Sequence, residues 1–132
     1  MSSTDSTTDK IEGVLALQTL AMPKDTNANG DIFGGWLVSQ MDLAAGIISK
    51  EISRGRSVTV AIQNVTFIKP VSVGATVTCY CQETRRGRTS LHIAVDVWSS
   101  HHAIGEKAFK VAAGTFVFVA IDDQGKPRPI PA

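Results

Sequence analysis

Residues 25–53 read DTNANGDIFGGWLVSQMDLAAGIISKEIS, and two kinds of sequence meet at Gly34. Downstream, Leu37, Met41, Ala44, Ala45, Ile48 and Ile52 recur at three- and four-residue spacing, so one broad apolar face predicts a helix from Gly34 to about Ser53. It is the only convincing helical period in the chain. Trp36, Leu43 and Ile47 form a second, narrower stripe on the other side of the wheel, for which a subunit neighbour is the simplest cover. Upstream, small polar residues, Gly30 and the Gly34-Gly35 pair make poor helix or strand but good tight loop. A helix starting near Gly34 leaves its first N–H groups unpaired, and without side chains at Gly34 and Gly35 those donors can closely approach a carbonyl oxygen or an oxyanion. Two turns on, Asp42 brings a carboxylate beside the apolar face, sharing its side of the helix with Val38, Ala45 and Ser49. Donors for developing negative charge plus a general base or nucleophile are the minimum for acyl transfer, which points to hydrolysis of an activated acyl group. The residues alone leave bland readings open: Asp42 as a solvated helix acid, Asn27 as a turn residue holding its own loop, and Asp31 as a helix cap or loop acid.

Outward from the helix the pattern is β. Val14 to Ala21 is a short apolar run ending at Pro23, which fits a first strand. After the Arg54-Gly55-Arg56 break, Val58, Val60 and Ile62 alternate in one parity and Val65 and Phe67 in the other, so the register slips near Gln63-Asn64 as at a bulge; Lys69-Pro70 ends that strand. Gly74 to Thr84 and Thr89 to Trp98 alternate on either side of Arg85-Arg86-Gly87-Arg88, read as a hairpin turn. Ala108 to Ile121 is apolar at nearly every position, as a strand covered on both faces would be. One strand, one helix and four strands make an α+β layer, a helix against an antiparallel sheet. Residues 1–12 read as a disordered lead-in, 13–123 as one domain and 124–132 as a Pro-rich tail.

A chain of 132 residues is one domain, short for an enzyme that must enclose a sizeable substrate alone. With 43% hydrophobic and 19% charged residues and a net charge of +1, nothing argues for nucleic acid, and no run is long enough to span a membrane. The Ser/Thr/Asp-rich start has no apolar signal region, so a cytoplasmic location is expected. Cys79 and Cys81, two apart on a strand, stand about 7 Å apart at the backbone, awkward for a disulfide; both read as free thiols. With His92, His101 and His102 the only other candidate ligands, no metal site is expected, and His101-His102 reads as an exposed loop.

The string DTNANGDIFGGWLVSQMD, the later VTF-x-KPV and the ending VAIDDQGKPRPIP resemble the YciA-type acyl-CoA thioesterases of the hotdog-fold superfamily, over about Val14 to Pro131. The resemblance implies five antiparallel strands wrapped around one central helix, with two subunits joining their sheets edge to edge and dimers assembling into tetramers or hexamers. It implies hydrolysis of acyl-CoA to free coenzyme A and a carboxylic acid, with no cofactor, since coenzyme A belongs to the substrate. The family's catalytic acid falls on Asp42, as general base or nucleophile, and Asn27 becomes a second site residue orienting the thioester or the water. Gly34 and Gly35 would polarise the carbonyl. By resemblance to two-domain relatives, Asn27 of one subunit and Asp42 of its partner share a site. Coenzyme A phosphates call for cations at strand ends, and Arg54, Arg56, Lys69, Arg85, Arg86 and Arg88 qualify. Thr89-Ser90 matches a family position near the nucleotide, which favours Arg88, Thr89 and Ser90. Trp36, Met41, Phe67 and Phe118 are candidate walls for the acyl chain or plain core. Two rivals are a hotdog hydroxyacyl-thioester dehydratase or hydratase, disfavoured because Phe33 stands where such enzymes set a His, and a non-catalytic acyl-CoA-binding module.

Overall fold

A computed structural model describes residues 10–132; residues 1–9, most of the expected lead-in, lie outside the described residues. The elements are β1 (Val14–Leu20), α1 (Gly34–Ser53), β2 (Ser57–Phe67), β3 (Thr76–Arg86), β4 (Ser90–His101) and β5 (Glu106–Ala120), with single 3-10 turns at Pro23–Asp25 and His102–Ile104. The strands form one antiparallel sheet in the order β1-β3-β4-β5-β2, leaving β1 and β2 as edges. Helix α1 touches all five strands, so the sheet curls around it as expected.

The face of α1 that meets the sheet carries Leu37, Met41, Ala44 and Ala45, all buried, with Ser49 and Ser53 continuing the line. Opposite them, the odd-numbered residues of β4 from Leu91 to Val97 and Phe116 of β5 are fully buried, the two-residue alternation of a half-covered sheet. Each such large side chain stabilises the fold by roughly 1.5–3 kcal/mol. Small residues at Ala44 and Ala45 let the helix axis lie close to the strands. The second stripe divides: Leu43 is 57% exposed and Ile47 43%, whereas Trp36 is half-buried against the core.

The bulge foreseen at Gln63-Asn64 is present, with Asn64 in the left-handed region at φ 55°. A second slip, between Thr59 and Ala61, carries no signal in the alternation of Val58, Val60 and Ile62. The RRGR turn is shorter than expected, because β3 continues through Arg86 and only residues 87–89 connect it to β4. His101 is not in an exposed loop: it ends β4, half-buried, with Nε2 3.2 Å from the Val73 carbonyl. Cys79 and Cys81 are free and buried on the helix-facing side, and burial pushes both thiols up to about 12. They are therefore protonated and inert at neutral pH. Among the described residues no helix is long and apolar enough to cross a membrane, and no three His, Cys, Asp or Glu side chains are grouped to hold a metal.

The Pro-rich segment after β5 lies packed on the domain. Ile121 and Pro127 form an isolated bridge, the Ile130 N–H donates to the Arg88 carbonyl at 2.8 Å, and Ile130 packs against the core.

Candidate active site

The loop before α1 is a miniature hairpin. Thr26 and Ile32 pair as a bridge, the Asn27 N–H donates to the Asp31 carbonyl at 2.7 Å, and the Gly30 N–H donates to the Asn27 carbonyl at 3.1 Å. Gly30, at φ 82°, takes the left-handed position that closes the turn. Asn27 Oδ1 accepts from the N–H groups of Asn29 (2.9 Å) and Asp31 (3.2 Å), so its side chain does form the Asx turn of the bland reading. Those bonds engage only the oxygen and leave Nδ2 without a hydrogen bond among the described residues. Beneath the loop, Asp25 is a buried acid that the sequence reading passed over. Its carboxylate accepts from the Met22 N–H (3.3 Å) and from Lys24 Nζ (3.1 Å), while its carbonyl accepts from the Phe33 N–H (3.0 Å). Asp25 thereby ties the start of the loop to the residue that begins the helix.

Helix α1 starts after Phe33 with no side-chain cap and no acid in its first turn. The donors of Gly34 and Gly35 are left at the positive end of the helix dipole without a side-chain cap. A Cβ at Gly34 would stand 3.0 Å from Cζ of the Phe67 ring, a tight contact that the half-exposed ring would have to relieve by a shift of a few tenths of an ångström. Gly35 faces only ordinary contact, 3.4 Å to the Phe33 ring. Around this terminus lies a cleft of about 480 Å³ lined by Asn27, Asp31, Gly34, Leu37, Phe67 and Lys69, among others. Asn27, Gly34 and Lys69 are thus brought together. Asp31 lines the cleft and caps nothing. Of the candidate acyl-chain walls, Phe67 borders the cleft, whereas Met41 and Phe118 are plain core.

Asp42 is outside that lining. It sits half-buried on the flank of α1 that faces the edge strand β2, where Thr59 Oγ1 donates to its Oδ1 at 2.7 Å. Thr59 was not singled out in the sequence. Its signal was only parity: a hydroxyl on β2 facing the helix between exposed valines. The bond anchors one carboxylate oxygen and leaves Oδ2 without a hydrogen bond among the described residues. Gly34 and Asp42 are eight residues apart, about 12 Å along a helix axis. Within one chain the open helix terminus and the carboxylate therefore cannot meet on one carbonyl group.

The candidate phosphate ligands fall into separate groups. Lys69 stands at the cleft, with its ammonium 5.3 Å from the centre of the Phe109 ring. Arg56 lines a smaller cleft of about 230 Å³ with Gly46, Lys50, Gly55, Ser57 and Val58 near the C-terminal end of α1. Arg88 and Thr89 lie in the β3–β4 connection and Ser90 begins β4; the connection lies against the end of β5 through the Ala120 N–H donating to the Thr89 carbonyl at 2.9 Å. Arg86 is already engaged: Nε and Nη2 donate to the two Glu83 carboxylate oxygens at 2.7 and 2.9 Å, a hydrogen-bonded pair that holds the Glu83 carboxyl below its ordinary range.

Comparison with known proteins bears on the family and the fold. Residues 29–106 match the family model of the thioesterase superfamily. The chain is 52% identical over 123 residues to the acyl-CoA thioester hydrolase YciA of Salmonella typhimurium, covering 91% of this chain and 92% of the relative. A hexameric thioesterase of Yersinia pestis superposes with a TM-score of 0.89 at 47% identity, covering 93% of this chain and all of the other. A hexameric hotdog-fold thioesterase of Campylobacter jejuni gives 0.84 at 36% identity, with 90% and 91% covered. An α+β sheet wrapped on one helix, the loop-to-helix cleft and similarity across nearly the whole chain lead to one assignment: the chain belongs to the hotdog-fold thioesterase superfamily, with the YciA-type acyl-CoA thioester hydrolases.

Proposed function

We propose that this protein hydrolyses acyl-coenzyme A, releasing free coenzyme A and a carboxylic acid. The observation that carries the reading is a division of labour along α1: an uncapped terminus opening on a cleft, and a carboxylate whose Oδ1 is anchored by Thr59 while Oδ2 is left to react. The thioester carbonyl oxygen meets the N–H groups of Gly34 and Gly35, where charge developing in the tetrahedral intermediate is stabilised. Asn27 Nδ2 orients the thioester or the water. Asp42 Oδ2 either takes a proton from water as that water attacks the acyl carbon, or attacks the carbon itself to give an anhydride that water then cleaves. In both courses the C–S bond breaks, the thiolate of coenzyme A leaves and takes up a proton, and no cofactor is needed. Arg88, Thr89, Ser90, Arg56 and Lys69 are the proposed contacts for the nucleotide end.

The 12 Å between Gly34 and Asp42 calls for two subunits. Edge strand β2 exposes Val58, Val60 and Ile62, a free strand with apolar side chains of the kind that pairs with another chain. Two copies joined antiparallel along β2 bring the Thr59 end of one beside the Phe67 end of the other. Asp42 then lies at the partner's helix terminus, beside the Asn27 and Gly34 of that copy. Exposed Leu43 and Ile47 supply further apolar surface for such a contact, and relatives described as hexameric favour an assembly of these dimers. A cytoplasmic location suits both the substrate class and two unpaired cysteines.

Release of free thiol from a panel of acyl-CoA thioesters tests the activity. Stoichiometric coenzyme A from at least one acyl chain is expected. A dehydratase would act on hydroxyacyl thioesters without releasing thiol, and a binding module would release none; either result would remove the hydrolase reading.

A further inference from the structure

The segment after β5 reaches every element that carries the proposed phosphate contacts at the far end of α1. All three kinds of nitrogen on Arg128 are spent on backbone carbonyls: Nε donates to Ile121 at 2.8 Å, Nη1 to Ser53 at 2.9 Å and Nη2 to Arg56 at 3.1 Å. Two residues on, the Ile130 N–H donates to the Arg88 carbonyl. Just before, the Ile121 N–H donates to the Arg56 carbonyl at 3.0 Å and the Ala120 N–H donates to Thr89. Residues 120–130 therefore hydrogen-bond the carbonyls of Ser53, Arg56, Arg88 and Thr89.

These bonds leave the side chains of Arg56 and Arg88 free. Both are exposed and neither forms an ion pair with a carboxylate among the described residues; the pairs found are Lys24–Asp25, Arg86–Glu83 and Lys110–Asp96. The end of β5 separates Arg56 from Thr89, with one strand spacing on either side, so the two backbones stand about 10 Å apart. That spacing lets two arginines converge on one polyphosphate. The Asp122 carboxylate is engaged by its own turn, with Oδ1 accepting the N–H groups of Gln124 and Lys126 at 2.9 Å each, and among the described residues it forms no ion pair with either arginine. Gly55 is shaped to the same device: a Cβ there would stand 2.6 Å from Arg128 Nη2.

We infer that residues 120–130 are a clamp for the phosphate-bearing end of the substrate and that Arg128 is its positioning residue, holding the backbones of Arg56 and Arg88 so that their guanidinium groups meet a phosphorylated ligand. Arg128 itself contacts no ligand. The inference rests on the acyl-CoA reading above and adds to it a residue outside the family's loop and helix motif.

The test uses the full chain, with calorimetric titration of coenzyme A beside kinetics on an acyl-CoA and on the matching acyl thioester of N-acetylcysteamine, which carries no phosphate. In Arg128→Ala the coenzyme A dissociation constant rises about tenfold, KM for acyl-CoA rises with it, kcat stays within about twofold, and the phosphate-free ester is hydrolysed as by the wild type. Arg128→Lys keeps the charge but cannot fork to three carbonyls, so the loss persists. Gly55→Ala displaces the guanidinium and gives a smaller loss of the same kind; it carries the test should Arg128→Ala fail to fold. Unchanged coenzyme A affinity in a folded variant overturns the clamp, as does full restoration by lysine or an equal loss on both esters. Coenzyme A binding that depends on Arg128, in a protein that hydrolyses no thioester, would instead overturn the hydrolase reading and leave the clamp standing.

Discussion

The two ends of α1 are finished in opposite ways. At Ser53 the chain turns through Arg54 in the left-handed conformation, φ 55°, and the Arg128 guanidinium donates to the Ser53 carbonyl, so the negative end of the helix dipole is met by a cation and a hydrogen bond. At Gly34 the positive end is left open: no side-chain cap, no acid in the first turn, two glycines and a cleft. A helix end that serves only stability is closed by its own chain. An end whose donors are withheld from the chain, against a cost of about 1 kcal/mol for a missing cap, is available to a ligand. On the reading proposed above, the chemistry belongs to the Gly34 end and the scaffold to the Ser53 end, with Asp42 between them facing the edge strand.

The strongest way to break this contrast is to remove the one group proposed to act only in the transition state. Asp42→Ala is expected to lower kcat a hundredfold or more while coenzyme A affinity, measured by calorimetry, stays near wild type. Retention of more than about a tenth of kcat would take Asp42 out of the mechanism. Thr59→Val keeps the shape and deletes the donor to Oδ1; steady-state kinetics should show kcat reduced about tenfold through a misplaced carboxylate, with KM little changed. At the open end, Gly34→Ala puts a methyl 3.0 Å from the Phe67 ring and in the path of the carbonyl. Its kcat/KM should fall severalfold while the thermal midpoint barely moves, since alanine is the better helix former. An alanine there that left kcat/KM intact would show that the open terminus is not used. The smallest effect belongs to the periphery: Arg88→Ala should raise KM a fewfold without changing kcat, and the difference should shrink at high salt.

How much of this was legible in the sequence differs between the two ends. The period of Leu37, Met41, Ala44 and Ala45 marked the helix and its buried face, and the parity change at Gln63-Asn64 marked the bulge, because periodicity reports burial directly. The loop, Asn27 and the Gly34-Gly35 pair stood out because small polar residues and glycines have few other uses before a helix. What stayed hidden depends on contacts between residues far apart in the chain. Thr59 is an ordinary strand residue until β2 brings it against Asp42, 17 positions away. Arg128 lay in a stretch whose prolines read as a tail, and no local pattern shows a guanidinium reaching Ser53, 75 residues earlier. The RRGR turn misled because a cationic run looks like a loop, whereas Arg85 and Arg86 continue β3 and Arg86 is paired with Glu83.

The central claim is that one chain supplies the open helix end and another the carboxylate. Mixing two inactive variants tests it most directly. Differently tagged Asn27→Ala and Asp42→Ala chains are coexpressed, and the heterodimer is purified through both tags. With shared sites, each heterodimer holds one doubly damaged site and one intact site, so thiol release should recover about half of the wild-type rate per dimer. Activity no higher than that of the single variants would contradict the account, because it would mean that each site draws Asn27 and Asp42 from the same chain.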